Sequence, residues 1–186
     1  MILLVRHAES VPPGPGFEDE FTRPLSLAGM RQSEELATEL VKRGLTRLVS
    51  SPYLRAKQTL EPFAERSGLE IAIEPDFREH CMTDQPIRHW QEVLATQWAD
   101  FDHALPSGES FNSTLARGMR VIREHLDHPG CTAIVGHGTI ISLILNSIDP
   151  AFGLAEHLAM PNPALYRLDR AGDRLECTAI QLDLRG

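Results

Sequence analysis

The stretch TAIVGHGTIISLILNSI, residues 132–148, decides the fold. Residues 132–135 are apolar and partly β-branched, which is typical of a short buried strand. After Gly136, His137 and Gly138, the apolar run 140–148 predicts a buried helix. A strand that leads into a helix through such a short turn indicates one unit of a parallel α/β sheet.

The same alternation of strand and helix continues on both sides of this stretch. Strands are predicted over residues 2–5, 47–50 and 70–74, with a loop at 11–23 and an irregular segment at 75–84. Helices are predicted from Ser26 to Gly44 and over 53–66, 86–101 and 111–126. A closing hairpin is predicted over 164–182. This pattern favours an α/β fold, a three-layer α/β/α sandwich with a mainly parallel sheet and an antiparallel edge.

Length and composition limit the possible function classes. At 186 residues, we expect a single domain over 1–186. With 18 Lys and Arg against 26 Asp and Glu, the net charge is −8, which disfavours a nucleic acid or an anionic membrane as partner. The three cysteines, 81, 131 and 177, form no CxxC pair, and no apolar run reaches the ~18 residues of a membrane span. We therefore expect a cytoplasmic protein, and the sequence leaves its oligomeric state open.

Polar, chemically able side chains follow three of the predicted strands. Arg6 and His7 end the first, Arg55 follows the second, and His137 ends the fourth. The carboxyl ends of parallel strands meet at one edge of a sheet, so these groups are expected to lie together. Arginine matches the geometry of phosphate oxygens, and a neutral histidine can attack phosphorus. The arrangement predicts an oxyanion pocket.

The motifs around these residues resemble those of the histidine phosphatase superfamily, the phosphoglycerate-mutase-like group. They are RHAES (6–10), SSPYLRAKQT (50–59) and VGHG (135–138), in family order. Two weaker matches agree with them: LSLAGMRQ (25–32) is similar to the family's LSxxGxxQ helix start, and GES (108–110) to another helix start. The resemblance covers most of the chain.

The resemblance implies a role for each matching residue. His7 would be the nucleophile that forms phosphohistidine, and Arg6 and Arg55 would hold the phosphoryl oxygens. His137 would orient and stabilise the transferring group. Glu79 would be the general acid, with Asp76 and Asp84 as rivals for that role. No metal or other cofactor is implied, since the arginines supply the positive charge.

Two departures from the family pattern concern phosphate binding. Ala8 stands where the family usually has glycine. No asparagine follows the nucleophile before Asn112, although the family often binds phosphate with one. Ser10 or the backbone N–H of Gly138 is the expected substitute.

The resemblance implies a histidine-type phosphatase acting on phosphomonoesters, with a small phosphorylated substrate or a phosphoprotein as partner. A phosphoglycerate mutase is the main alternative, but only residues 81–107 separate Glu79 from the GES match, which leaves little chain to enclose a substrate. A phosphohistidine-protein phosphatase and a non-catalytic phospho-ligand binding domain are further alternatives. The acidic loop 18–20 with Arg23 is expected to be solvated, or to tune substrate access.

The remaining histidines and the aromatic stripe have simpler interpretations. His125 and His128 lie three residues apart, which could suggest a metal site, but we expect solvated residues at a helix end. Surface or loop positions are expected for four others: His80, His89, His103 and His157. The stripe over residues 90–101 is expected to pack in the core rather than cover the substrate.

Overall fold

The computed structural model describes residues 1–14, 16 and 19–183. In these ranges the strands are β1 (Ile2–Arg6), β2 (Leu45–Ser50), β3 (Ile71–Ile73), β4 (Cys131–Gly136), β5 (Ala164–Ala171) and β6 (Arg174–Ile180). The helices are α1 (Leu27–Val41), α2 (Leu54–Ser67), α3 (Trp90–Ala99), α4 (Phe111–Leu126), α5 (Gly138–Ile148) and α6 (Leu154–Ala159).

The six strands form one mixed sheet in the order β3-β2-β4-β1-β5-β6. Strands β3, β2, β4 and β1 are parallel, and β5 and β6 add an antiparallel edge. Successive residues of β1 point to opposite faces, and Ile2–Val5 are all at most 1% exposed, so both faces of the sheet are covered. Helices α1 and α2 pack on one face and α4 and α5 on the other. The predicted three-layer α/β sandwich is confirmed.

Local signals in the sequence account for most helix boundaries. The Ser26 side chain accepts a hydrogen bond from the Gly29 N–H at the start of α1, and Ser110 caps α4 in the same way. Gly68 ends α2 in the left-handed conformation, with φ of 72°. Residues 138–145 of helix α5 are all buried, as expected for a helix whose apolar residues are not confined to one face.

The structure differs from the predicted elements in three places. Helix α3 begins at Trp90 rather than at residue 86, and a short 3-10 helix, Pro75–Phe77, interrupts the segment predicted as irregular. Helix α6 was not predicted, since its six residues are too few for a clear period.

The single domain over residues 1–186 stays a prediction, and residues 184–186 lie outside the described ranges. Within those ranges, no helix has the length and apolar character that a membrane span requires.

The expected solvation of His125 was wrong, because it is buried, and His157 lies half-buried in α6 rather than at the surface or in a loop. His80 and His103 lie in loops, as expected, but His80 is buried there. His80 is 8% exposed, and its two ring nitrogens are satisfied inside the protein by hydrogen bonds with Thr114 and Gln97, at 2.8 and 3.1 Å. The His157 ring lies against the Ser142 hydroxyl at 2.9 Å. Each partner lies on an element distant in sequence, so local pattern does not show the burial.

The aromatic stripe largely packs as expected. Trp98 and Phe101 join a cluster around Leu94, Phe111 and Leu143. Only the first member of the stripe departs from the prediction, because the side chain at position 90 remains 45% exposed.

Candidate active site

The carboxyl ends of β1 and β4 bring the two motif histidines together. His7 follows β1 directly, and its N–H bonds the Gly136 carbonyl of the neighbouring strand at 3.0 Å. His137 lies between β4 and α5. The ring centroids of His7 and His137 are 5.1 Å apart in an edge-to-face arrangement. The predicted meeting of strand ends therefore occurs at these two residues.

His7 has both ring nitrogens engaged. Its Nδ1 lies 2.6 Å from the Ala8 carbonyl oxygen, which can only accept, so Nδ1 carries the proton. In the neutral ring, Nε2 then keeps its lone pair, and Nε of Arg55 donates to it at 3.2 Å. The Asn162 side chain also donates to the His7 carbonyl at 2.8 Å. This tautomer leaves the unprotonated lone pair of the ring on Nε2.

The surroundings of His7 keep its ring neutral. Burial, with the nearby positive charge of Arg55 acting in the same direction, lowers its pKa from 6.5 to about 3. His7 is only 8% exposed. An unprotonated imidazole is therefore present at neutral pH without a separate general base.

His137 is also held neutral and is completely buried. Burial lowers its pKa well below the usual value, and the neighbouring His7 and Arg55 act in the same direction. Its Nε2 lies 2.7 Å from the Ser51 hydroxyl, whereas its Nδ1 has no hydrogen-bond partner among the described residues. A buried ring nitrogen without a partner is costly, and a bound substrate oxygen would remove that cost.

Arg6, the last residue of β1, lies near the start of α5. One of its terminal nitrogens donates to the Met160 carbonyl, and its Nε is buried without a partner. The guanidinium lies beside Gly138: a Cβ at that position would be 3.4 Å from it, an ordinary van der Waals contact. Burial lowers the pKa of Arg6, and the charge of Glu79 opposes that effect.

Arg55, on the first turn of α2, has all three of its nitrogens occupied. Besides the bond from Nε to His7, one terminal nitrogen donates to the Glu20 carbonyl at 2.7 Å. The other contacts the Glu20 carboxylate at 3.0 Å. That carboxylate also accepts from Arg23 at 2.7 Å. Glu20 therefore supplies the negative oxygens that a phosphate would offer to the two arginines.

The carboxylate of Glu79 caps the start of α5. Its oxygens accept hydrogen bonds from three backbone N–H groups: Thr139 at 3.0 Å, Ile140 at 3.2 Å and His80 at 2.8 Å. This fixes the carboxylate beside the turn that carries His137. Asp76, one of its rivals, instead pairs with the exposed Arg120. Of these two carboxylates, only Glu79 contacts the turn beside His137.

The two expected substitutes for the missing asparagine differ in their availability. The Ser10 hydroxyl is taken by Arg23 at 2.6 Å, so Ser10 orients an arginine in this structure. The N–H of Gly138 belongs to the same first turn of α5 that binds Glu79.

Arg23 and Asn162 are residues at the site that the sequence analysis did not assign to it. The only signal for Arg23 was its position in the acidic loop; Asn162 follows all the motifs and gave none.

An aromatic wall borders the histidines on the side of α2. The Tyr53 ring lies 4.8 Å from that of His137, and Phe21 packs on Tyr53 at 4.5 Å. Tyr53 is 8% exposed and Phe21 is 51% exposed. The guanidinium of Arg55 lies over the Tyr53 ring, 4.7 Å from its centre.

We expect both His7 and His137 to remain neutral when the pH falls through 6.5. The measurement is a nitrogen-15 NMR titration of the histidine rings, which reports protonation and tautomer for each. His7 should show a protonated Nδ1 and a bare Nε2 down to about pH 4, since its pKa is about 3. The unfolded chain would protonate the same ring near 6.5, so acid should also destabilise the fold between those values. Titration of His7 between pH 6 and 7 would contradict this account.

Replacing Glu20 with glutamine should strengthen the binding of inorganic phosphate or vanadate. The variant removes a carboxylate that competes for Arg55 and Arg23, but keeps a side chain of similar size. Because the Glu20 side chain is 46% exposed, the gain should be modest, about fivefold in Kd, or roughly 1 kcal/mol. Isothermal titration calorimetry measures it, with the exposed Glu61→Gln as the matched control. Unchanged or weaker binding would show that Glu20 does not compete with the anion.

Comparison with known proteins agrees with the sequence motifs. The sequence model of the histidine phosphatase superfamily (branch 1) matches residues 2–183. A Yersinia enterocolitica protein named probable phosphoglycerate mutase GpmB is 27% identical over 186 residues, covering 90% of this chain and 84% of that protein.

Two solved structures show a similar fold. A putative alpha-ribazole-5'-P phosphatase from Escherichia coli has a TM-score of 0.76 at 22% identity, covering 100% of this chain and 97% of its own. A mycobacterial glucosyl-3-phosphoglycerate phosphatase has a TM-score of 0.75 at 21% identity, covering 100% and 99%.

Proposed function

Because this chain belongs to the histidine phosphatase superfamily, we propose that it hydrolyses phosphomonoesters through a phosphohistidine intermediate on His7. The observation that carries the proposal is the state of His7: a buried neutral imidazole, with Nδ1 fixed by the Ala8 carbonyl and Nε2 beside Arg55. A residue that only bound phosphate would gain from a positive charge here, whereas a nucleophile needs a free lone pair.

The first half-reaction transfers the phosphoryl group to the enzyme. Nε2 of His7 attacks phosphorus, the N–P bond forms, and the bond from phosphorus to the leaving oxygen breaks. Glu79 in its protonated form gives its proton to that oxygen, so the product leaves as an alcohol. Arg55 turns from Nε2 of His7 and from Glu20 toward the phosphoryl oxygens, which frees the lone pair for the attack.

The second half-reaction releases phosphate. The Glu79 carboxylate takes a proton from water, whose oxygen attacks phosphorus as the N–P bond breaks. Negative charge on the equatorial oxygens is stabilised throughout by Arg6, Arg55 and His137. Both Nε of Arg6 and Nδ1 of His137 are buried without partners, which supports their role as donors to those oxygens. The N–H of Gly138 is a further donor in this proposal, and Ser10 acts by orienting Arg23.

Metal-independent turnover is part of the proposal. The positive charge around His7 comes from arginines that are buried or nearly so. In the described part of the chain, no group of three or more His, Cys, Asp or Glu side chains is placed to hold a metal ion. Activity should therefore survive dialysis against a chelator. We also propose a cytoplasmic location, because of the cysteine pattern and the lack of a long apolar run in the sequence. The motifs support a small phosphorylated substrate or a phosphoprotein as partner.

A phosphoglycerate mutase remains the second candidate, because the Yersinia relative named as one aligns with most of this chain. The two activities differ in the fate of the phosphoryl group. A phosphatase releases inorganic phosphate from p-nitrophenyl phosphate with no acceptor present, and we expect this result. Interconversion of phosphoglycerates without release of phosphate would instead identify a mutase. A screen of phosphorylated metabolites and phosphohistidine peptides, ranked by kcat/KM, would then define the substrate class.

The variant Glu79→Gln should slow substrates with poor leaving groups more than those with good ones. An alkyl alkoxide needs a proton as it leaves, whereas nitrophenolate does not. We expect kcat/KM, which reports phosphoryl transfer to His7 and not the later dephosphorylation common to both substrates, to fall about 100-fold for an alkyl phosphate and only a few-fold for p-nitrophenyl phosphate. The exposed Glu124→Gln on α4 is the matched control. Equal losses for both substrates would remove Glu79 as the general acid.

A further inference from the structure

A single buried arginine holds the backbone of the segment that carries Glu79. Arg117, on α4, is 7% exposed. Its guanidinium donates to the carbonyl oxygens of Asp76 at 2.8 Å, Arg78 at 2.6 Å and Glu79 at 3.1 Å. The proton transfer proposed above uses the Glu79 carboxyl group, whereas these three bonds involve backbone carbonyl oxygens.

Glu109 completes this arrangement from the start of α4. Its two carboxylate oxygens bind Arg117 in a fork, at 3.0 and 2.9 Å. The same carboxylate accepts from the Cys81 N–H at 3.1 Å, and the Glu109 N–H donates to the Cys81 carbonyl at 2.7 Å. Burial alone would raise the pKa of Glu109, but Arg117, together with the Cys81 N–H and Arg78, outweighs it and lowers the pKa. The pair therefore fixes the chain on both sides of Glu79.

Neither member of the pair touches the Glu79 carboxylate. That carboxylate accepts from backbone N–H groups, two of them on α5, whereas Arg117 reaches only the Glu79 carbonyl. The charge of Arg117 also helps to lower the pKa of His137, and lysine would keep that charge. Any further effect of Arg117 on catalysis acts through the position of the carboxylate. Misplacement of a catalytic group by about 1 Å can cost about 100-fold in rate.

We propose that the Arg117–Glu109 ion pair is a positioning device that places the Glu79 carboxyl for proton transfer to the leaving group. The inference rests on the proposed function, because it presupposes that Glu79 is the general acid. Lysine at position 117 would keep the charge but lose the planar fork that binds Glu109 and three carbonyl groups together.

The test is the leaving-group dependence of Arg117→Lys, with Arg123→Lys on the exposed face of α4 as the control. We expect kcat/KM, which excludes the dephosphorylation step common to both substrates, to fall about tenfold or more for an alkyl phosphate, through kcat with KM nearly unchanged. For p-nitrophenyl phosphate kcat/KM should fall less than about threefold. In a Glu79→Gln background the same substitution should add no further selective loss, since the group it positions is already gone. The milder Glu109→Gln should show the same selectivity if Arg117→Lys does not fold.

A second readout follows position rather than rate. The amide signals of Thr139 and Ile140, which donate to Glu79, should shift in Arg117→Lys in the direction seen in Glu79→Gln. Equal losses for both substrates, full additivity with Glu79→Gln, or unshifted amides would overturn the positioning role alone. A wild-type protein that hydrolyses no phosphomonoester would overturn the proposed function, and this inference with it.

Discussion

His7→Ala should abolish turnover of every phosphomonoester that the wild-type protein hydrolyses. The substitution removes the atom proposed to accept the phosphoryl group. Among the described neighbours, His137 is fully buried with its Nε2 bonded to the Ser51 hydroxyl, and Cys81 follows Glu79 in the chain, so we expect neither to replace it. Loss of a nucleophile typically costs at least about 10⁴-fold in kcat. A continuous phosphate-release assay with enzyme in excess is sensitive enough to measure this loss.

A matched variant separates this effect from loss of folding. His128 is exposed, so His128→Ala should retain wild-type turnover. Vanadate binding to His7→Ala should persist, because the arginines remain, and it would show that the pocket is intact. Substantial residual activity in a folded His7→Ala protein would refute the phosphohistidine mechanism.

Arg55→Ala should produce the second largest loss. Arg55 contacts Nε2 of His7, and at 2% exposure its charge is little screened by water. In the proposed mechanism it also provides the fork for the phosphoryl oxygens. Removing one such donor costs about 2.7–4 kcal/mol in transition-state stabilisation, which corresponds to a loss of about 100- to 1000-fold in kcat/KM. Steady-state kinetics on p-nitrophenyl phosphate measures it.

Two companions make the Arg55 result interpretable. Arg55→Lys keeps the charge but not the fork, so it should fall between the wild type and the alanine variant. The exposed Arg31→Ala should leave kcat/KM unchanged. If kcat/KM of a folded Arg55→Ala protein fell only a few-fold, the phosphoryl group would have to be held mainly by Arg6 and Arg23, and the role proposed for Arg55 would be wrong.

The fold and the centre of the site were accessible from sequence because their signals are local. A short apolar strand ending at His7 or at His137 indicates both a parallel sheet and the edge at which the side chains meet. Ser26 and Ser110 mark helix starts through hydrogen bonds to residues only three positions further along the chain. Such features depend on residues adjacent in the chain, which is where sequence patterns are informative.

The remainder depends on contacts between residues far apart in sequence. Asn162 reaches the His7 carbonyl from 155 positions away, and the burial of His80 depends on α3 and α4. The contact of Glu20 with Arg55 depends on the path of a loop rich in proline and glycine, whose local sequence does not fix that path. No periodicity or motif shows which side chains such contacts bring together.

The most direct test of the central claim is to trap the phosphorylated enzyme. The protein is mixed with p-nitrophenyl phosphate, denatured in alkali within one turnover, and examined by intact mass and peptide mapping. We predict an added phosphoryl group on His7 that is stable in alkali and lost in acid, and that is absent from His7→Ala. Rapid turnover with no phosphorylated enzyme, or with the phosphoryl group on another residue, would contradict the account.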